Sequence, residues 1–115
     1  MANAAAASAF LLSLGITHAA NADTAMTAGV LMERMKPADR YIYVSGMIEG
    51  LAYARFLRDS ATNGSKDERG MKCIYDWFYE GGDTAQDSIE AAFRLYADYS
   101  PSVVAWAMIK KECGE

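Results

Sequence analysis

The chain has 115 residues, of which 15 are acidic and 11 basic, and its formal net charge is −4. This length fits one small domain, and the acidic balance argues against nucleic-acid binding, which needs concentrated positive charge. The only histidine is His18, so the chain beyond it lacks the commonest general base and the commonest metal ligand. We therefore expect neither a cofactor nor a bound metal.

The N-terminal part of the sequence predicts export. The first 22 residues carry no charge, residues 4–16 form a short apolar run, and an A-x-A triplet of small residues follows at 20–22. These features are typical of a secretory signal peptide over residues 1–22, which leaves a single helical domain over residues 23–115 in the periplasm or outside the cell. The alternative is a membrane-anchoring helix, for which the apolar run is short.

Helical patterns follow one another along the mature chain, and no segment shows the sustained alternation of a β-strand. Signals for helix starts are Ser65 with Glu68, which fit a capping box, then Asp83, and then Ser100 before a proline. We therefore predict an all-α fold, a compact bundle of four to five helices with one disulfide. The expected helices span residues 24–35, 38–59, 66–80, 84–98 and 101–111, and a polar loop with a turn at Asn63-Gly64 follows the second.

The predicted helix over residues 38–59 carries apolar side chains around most of its circumference, which predicts a central position in the bundle. Each glycine within a helix costs roughly 1 kcal/mol against alanine. Gly46, Gly50 and Ala54 nevertheless form one stripe of small residues, a pattern that predicts close approach of another helix. That helix belongs either to the same bundle or to a second copy. We expect a homodimer, because so much apolar surface is difficult to bury in a small domain.

Two cysteines, Cys73 and Cys113, lie in the mature chain. In an exported domain an even number of cysteines indicates a disulfide. Closing a loop of about 40 residues contributes roughly 4 kcal/mol in the chain-entropy model, which is a large share of the stability of a small domain. The alternatives are free buried thiols or a metal site, and two cysteines without histidine make a poor zinc site.

The stretch CIYDWFYE, residues 73–80, places aromatic or apolar side chains around most of a helix. Deep burial in a small core would account for this pattern. The alternative is a partner-binding surface formed by Tyr75, Trp77 and Tyr79, since Trp and Tyr are frequent interface anchors. Tyr75 and Tyr79 are the members that we expect to be exposed.

Catalytic motifs are missing from the mature sequence, which has no phosphate-binding glycine loop, no G-x-S-x-G elbow and no histidine to activate a cysteine. Glu49 lies in the largely apolar helix predicted over residues 38–59, and it is either partly buried with a raised pKa or a solvent-edge or salt-bridged side chain. Sequence spacing places no second carboxylate near it, as a paired-carboxylate hydrolase would need. We therefore predict that the protein is not an enzyme.

The order of these features resembles the small exported helical proteins grouped with the periplasmic immunity proteins of type VI secretion amidase effectors. The segment YVSG at 43–46 matches their Y-[IV]-x-G turn of helix, and Cys73 and Cys113 match a cysteine after the long helix and one near the C-terminus. Members commonly carry two earlier cysteines. This sequence has Met35 and Arg40 there, so one of the two family disulfides is missing.

The resemblance covers most of residues 30–114 and implies a helical protein that inhibits a partner. A second resemblance, in size and cysteine layout, is to the periplasmic acid-stress chaperones of the HdeA kind, which are small helical dimers with one disulfide. We therefore expect an exported protein-binding domain that acts on a toxin or hydrolase. The alternative is a chaperone, because carboxylates titrating below pH 5 would leave the chain cationic and loosened.

Overall fold

The computed structural model of the chain describes residues 26–115, and the predicted signal peptide lies outside them. The described part consists of helices and turns without a strand, which confirms the predicted all-α bundle and its disulfide. The α-helices are α1 (Ala28–Arg34), α2 (Pro37–Asn63), α3 (Arg69–Tyr75), α4 (Thr84–Leu95) and α5 (Pro101–Cys113), and a π-helical turn (Asp76–Glu80) continues α3.

One apolar core lies between these helices, and each of the five α-helices contributes to it. Its members recur at intervals of three or four residues, so each helix presents one face to the core. The buried apolar side chains are those of Ala28, Leu31, Val44, Ile48, Ala52, Ile74, Phe78, Ala85, Ile89, Phe93, Val104, Ala105 and Ile109.

The longest helix, α2, lies at the side of this core, so the prediction that it is central is wrong. Its buried residues fall on one face, and this face carries the part of α2 that lies in the core. Apolar side chains on the opposite face stay in solvent: Ile42 is 69% exposed, Tyr53 55% and Leu57 50%. A helix that is apolar nearly all round is therefore half-covered by the rest of this chain.

The stripe of small residues also lies on the uncovered face of α2. Gly46, Gly50 and Ala54 are exposed, and at either glycine a Cβ would have no described atom within 4 Å apart from the adjacent residues and the backbone of α2 itself. The predicted close approach of another helix of the same bundle is therefore wrong, because the core helices pack on the other side. The alternative, a second copy, stays a prediction.

The connection between α2 and α3 is organised by Asp67. α2 ends at Asn63 and is capped by Gly64, whose φ of 70° lies in the left-handed region that glycine adopts without strain, at the predicted Asn63-Gly64 turn. The capping box at Ser65 and Glu68 is wrong, because α3 begins only at Arg69. The Asp67 carboxylate instead accepts hydrogen bonds from the backbone N–H of Arg69 at 3.2 Å and from its guanidinium at 2.9 and 3.0 Å.

The helix formed by α3 and the π turn stops at the Gly81-Gly82 pair, as predicted. α4 begins directly after Asp83, but the side chain of Asp83 makes no capping hydrogen bond. The start of α5 matches the prediction fully: Pro101 is its first residue, and the Ser100 hydroxyl accepts a hydrogen bond from the backbone N–H of Val103 at 3.4 Å.

The disulfide joins Cys73 in α3 to Cys113, the last residue of α5, with 5.8 Å between the two Cα atoms. It closes a loop of 40 residues that contains the π turn and all of α4. The bond therefore fixes the end of α5 beside α3. A cation–π contact, with the Arg58 guanidinium 5.7 Å from the centre of the Trp106 ring, also links α2 to α5.

Candidate functional site

Three side chains that the sequence singled out separately meet on one surface. Tyr75 donates its hydroxyl hydrogen to Oε2 of Glu49 at 2.9 Å, and Tyr79 donates to Oε1 at 2.7 Å. α2 supplies the carboxylate, while the end of α3 and the π turn supply the phenols. We call Glu49, Tyr75 and Tyr79 the tyrosine–glutamate cluster. Glu49 is exposed, which is the second of the two alternatives that its position left open.

The backbone brings the two phenols into line. Tyr75 is the last residue of α3 and Tyr79 lies within the π turn, four residues later, so both point to the same side of the helix. Their ring centroids are 6.1 Å apart. Phe78, between them in sequence, points into the core and stacks on Tyr41 of α2 with 6.1 Å between ring centroids. The buried Phe78 thereby fixes the direction of its exposed neighbour Tyr79.

Both phenols hold their protons more tightly than a free tyrosine does. The hydrogen bond to Glu49, supported by burial, raises the pKa of Tyr79 to about 12. Burial is the larger cause for Tyr75, whose pKa is also raised, and the hydrogen bond to Glu49 is the second. At neutral pH both hydroxyls therefore act as donors to the carboxylate, and the orientation of the carboxylate is fixed by two hydrogen bonds.

The cluster borders the exposed side of α2, which we call the α2 outer face. Glu49 lies one turn before Tyr53 and one turn after Ser45, so the carboxylate and exposed apolar groups share a surface. Tyr79, 43% exposed, continues this surface onto the π turn. The α2 outer face comprises Ile42, Gly46, Gly50, Tyr53, Ala54 and Leu57.

The exposure of the aromatic stretch follows the predictions in part. Tyr79 is exposed as predicted, Tyr75 is half-buried, and Trp77 is half-buried against the core with its ring centroid 6.4 Å from that of Phe78. Trp77 makes no hydrogen bond within the described residues and lies outside the tyrosine–glutamate cluster. A partner-binding role for Tyr75, Trp77 and Tyr79 stays a prediction.

A second polar cluster, which the sequence analysis missed, surrounds Arg55. Its guanidinium is nearly fully buried and donates to Oδ2 of Asp59 at 2.8 Å and to the carbonyl oxygen of Gly114 at 2.7 Å, with a longer bond to that of Cys113. Arg55 follows the buried Val44, Ile48 and Ala52 at helical spacing. A charged residue on an otherwise apolar stripe is a sequence signal that could have identified this buried side chain.

A third feature is an apolar groove of about 620 Å³ between α4 and α5. Tyr96 and Tyr99 stand at its rim and are exposed, with 6.1 Å between their ring centroids. Leu95 beside them is 75% exposed. The groove is lined by Ser88, Ala92, Tyr96, Tyr99, Val103, Val104, Ala107, Met108, Lys111 and Glu112.

The described part of the chain contains neither a cluster of metal ligands nor a candidate membrane span. Residues 26–115 contain no group of three or more His, Cys, Asp or Glu side chains placed to hold a metal ion. Within the same range, no helix combines the length and the hydrophobicity that crossing a bilayer requires. The chain matches no protein-family model, no curated protein and no solved structure.

Proposed function

We propose that this chain is an exported, non-enzymatic protein-binding domain, and that its recognition surface consists of the tyrosine–glutamate cluster and the α2 outer face. A protein inhibitor of a toxin or hydrolase, of the immunity type, is the role that we assign to it. One observation carries the proposal: a carboxylate fixed by two tyrosine hydroxyls lies at the edge of an exposed face with three large apolar side chains.

Interface physics supports this use of the surface. Tyrosine combines a large apolar ring with a polar group and loses few rotamers on binding, which makes it a frequent anchor residue. The hydrogen bonds to Glu49 already restrict Tyr75 and Tyr79, so less conformational entropy is lost when a partner binds. The disulfide adds rigidity to α3, from which the two tyrosines project, and it favours the proposed export.

The test is a pull-down from the periplasmic fraction with the mature, oxidised protein at pH 7. The variant is Tyr75→Ala/Tyr79→Ala, and the matched control is Tyr96→Ala/Tyr99→Ala, which removes an exposed tyrosine pair with the same ring separation from a different surface. We expect one stoichiometric partner that the control retains and the variant loses. Circular dichroism and urea unfolding establish that both variants remain folded.

Two results would contradict the proposal. The first is a partner that the Tyr75→Ala/Tyr79→Ala variant retains in full, since the surface would then not be involved. The second is no partner together with a stable self-dimer in light scattering, since a second copy would then be the occupant.

The alternative function is an acid- or stress-linked periplasmic chaperone. The groove between α4 and α5 favours it, because Leu95, Tyr96 and Tyr99 expose apolar surface that unfolded clients could contact. Suppression of client aggregation at low pH but not at pH 7, lost in Tyr96→Ala/Tyr99→Ala, would favour the chaperone over the inhibitor.

A further inference from the structure

Among the described carboxylates that accept side-chain hydrogen bonds, Glu49 differs in the charge of its donors. Asp59, Asp67 and Glu90 each form an ion pair with an arginine, at distances of 2.8–2.9 Å. Glu49 is held on both oxygens as well, but only by neutral phenols, and it has no ion-pair partner within residues 26–115. Its position is therefore fixed while its negative charge remains uncompensated.

The surface beside Glu49 has room for a side chain from another molecule. On a helix, the neighbours of Gly46 are the residues three and four positions away, which include Ile42, Glu49 and Gly50. Apart from the adjacent residues and the backbone of α2 itself, no described atom lies within 4 Å of a Cβ placed at Gly46 or at Gly50. The two glycines therefore leave open surface on the α2 outer face, with Ile42 one turn before Gly46 and Glu49 beside it on the helix.

We propose that this open surface binds a basic side chain of the partner, an arginine in particular, and that Glu49 is the anchor. The inference rests on the proposed protein-binding function and specifies its chemistry. Each oxygen of Glu49 accepts one phenol hydrogen and keeps a lone pair, so the carboxylate can still accept the two parallel N–H groups of a guanidinium.

The surroundings favour a cation over a neutral donor. Tyr53 is exposed one turn from Glu49, and Tyr79 flanks it on the other side, so aromatic rings stand where a guanidinium can stack. Asp76 and Glu80 are exposed on the π turn next to Tyr79, and their charges have the same sign as that of Glu49. The partner surface that fits is apolar with a basic residue near its centre.

A random peptide library displayed on phage tests this chemistry without a known partner. The mature, oxidised chain is the target, in parallel with Glu49→Gln and with Glu33→Gln, an equal charge change at an exposed site of α1. We expect peptides selected on the unmodified chain and on Glu33→Gln to share an arginine or lysine beside apolar residues. Peptides selected on Glu49→Gln should keep the apolar residues and lose the basic position.

One selected peptide then gives the affinity contribution of the charge. Replacing its arginine by citrulline, a neutral side chain of nearly the same shape, should weaken binding to the unmodified chain about tenfold and to Glu49→Gln less than twofold. Equal losses on the two targets, or a basic position that persists on Glu49→Gln, would overturn the inference.

The same selection separates this inference from the function on which it rests. Apolar peptides that need Tyr75 and Tyr79 but contain no basic position would overturn the arginine site and leave the recognition surface standing. Peptides whose binding is unchanged by Tyr75→Ala/Tyr79→Ala would contradict the proposed surface itself. Failure to select any peptide would count against both.

Discussion

Arg55 passes Gly70 so closely that a methyl group on Gly70 would lie 2.5 Å from Nε of Arg55 and 2.6 Å from Oδ2 of Asp59. The absence of a side chain in α3 therefore lets the buried guanidinium of α2 reach the end of α5. The glycines of this chain consequently have opposite roles: Gly70 makes room for an internal contact, whereas Gly46 has open space above it.

These two glycines give a matched pair of predictions. Gly70→Ala should lower the free energy of unfolding by about 2 kcal/mol, because Arg55 must leave its hydrogen-bonded position. Gly46→Ala should raise it by about 0.5–1 kcal/mol, because alanine is the better helix former and nothing obstructs its methyl group. Urea unfolding of both variants measures the difference. Equal changes of the same sign in the free energy of unfolding would contradict the close packing of Arg55 against Gly70.

Replacing Arg55 should be costly even when the charge is kept. Arg55→Lys retains the positive charge but cannot reach Asp59 and the carbonyl oxygens of Cys113 and Gly114 together, so we expect a loss of about 2–3 kcal/mol. Arg34→Lys, at an exposed site, is the control and should change stability by less than about 0.5 kcal/mol. Similar urea midpoints for the two variants would contradict a structural role for Arg55.

Removing the disulfide should lower stability by roughly 4 kcal/mol, which is the loop-entropy value for a loop of this length. Cys73→Ser/Cys113→Ser is the variant, and urea unfolding is the measurement. Because Arg55 holds the same end of α5, the loss should combine non-additively with that of Arg55→Lys in a double-mutant cycle. Strict additivity would mean that the two contacts act independently.

The free energy of unfolding should fall at acidic pH, because Asp67 becomes protonated. Hydrogen bonds from Arg69 lower the pKa of Asp67 from 3.8 to about 2. Because the folded-state pKa is the lower one, this stabilisation is present above about pH 4 and is lost as the pH falls towards 2. Urea midpoints between pH 5 and pH 2 should therefore fall less steeply for Asp67→Asn than for the unmodified chain. Glu68→Gln, the neighbouring exposed carboxylate, is the control and should keep the unmodified slope.

At alkaline pH the tyrosine–glutamate cluster should lose its contribution to stability, because Tyr79 becomes deprotonated. The pKa of Tyr79 is about 12 in the folded chain, above the ordinary tyrosine value of 10, so its contribution to stability is present below about pH 10 and lost as the pH rises towards 12. Glu49→Gln removes the negative charge and should bring the titration of Tyr79 back towards 10. Ultraviolet absorbance of tyrosinate follows this shift, and an unchanged titration in the variant would contradict the hydrogen bond to Glu49.

The helices and the disulfide could be predicted because their signals are local. Ser100 followed by proline marks the start of α5, and the Asn63-Gly64 turn marks the end of α2, although α2 continues four residues beyond the predicted Asp59. The predicted capping box at Ser65 and Glu68 does not form, because both residues lie in the loop before α3. The carboxylate of Asp67 instead accepts hydrogen bonds from the backbone and the side chain of Arg69, where α3 begins.

The sequence identifies the individual residues of the candidate site but does not show that they contact one another. The sequence marks Glu49 as a carboxylate in a largely apolar helix and Tyr75 as part of an aromatic stretch, but they are 26 positions apart, and only the packing of α3 against α2 brings them together. The periodicity of α2 likewise shows that apolar groups surround the helix without showing which side the core covers. Burial depends on how the helices assemble, so the spacing of residues in the sequence could not predict that Gly46 is exposed.

The π turn at residues 76–80 sets the spacing between the two phenols of the tyrosine–glutamate cluster. A π turn contains one residue more than an α-helical turn. Deleting one residue there would restore a regular helix with the two phenols three positions apart, a spacing at which helical side chains still lie on one face. The π turn thus accommodates one extra residue while both phenols stay on the side of the helix that faces Glu49.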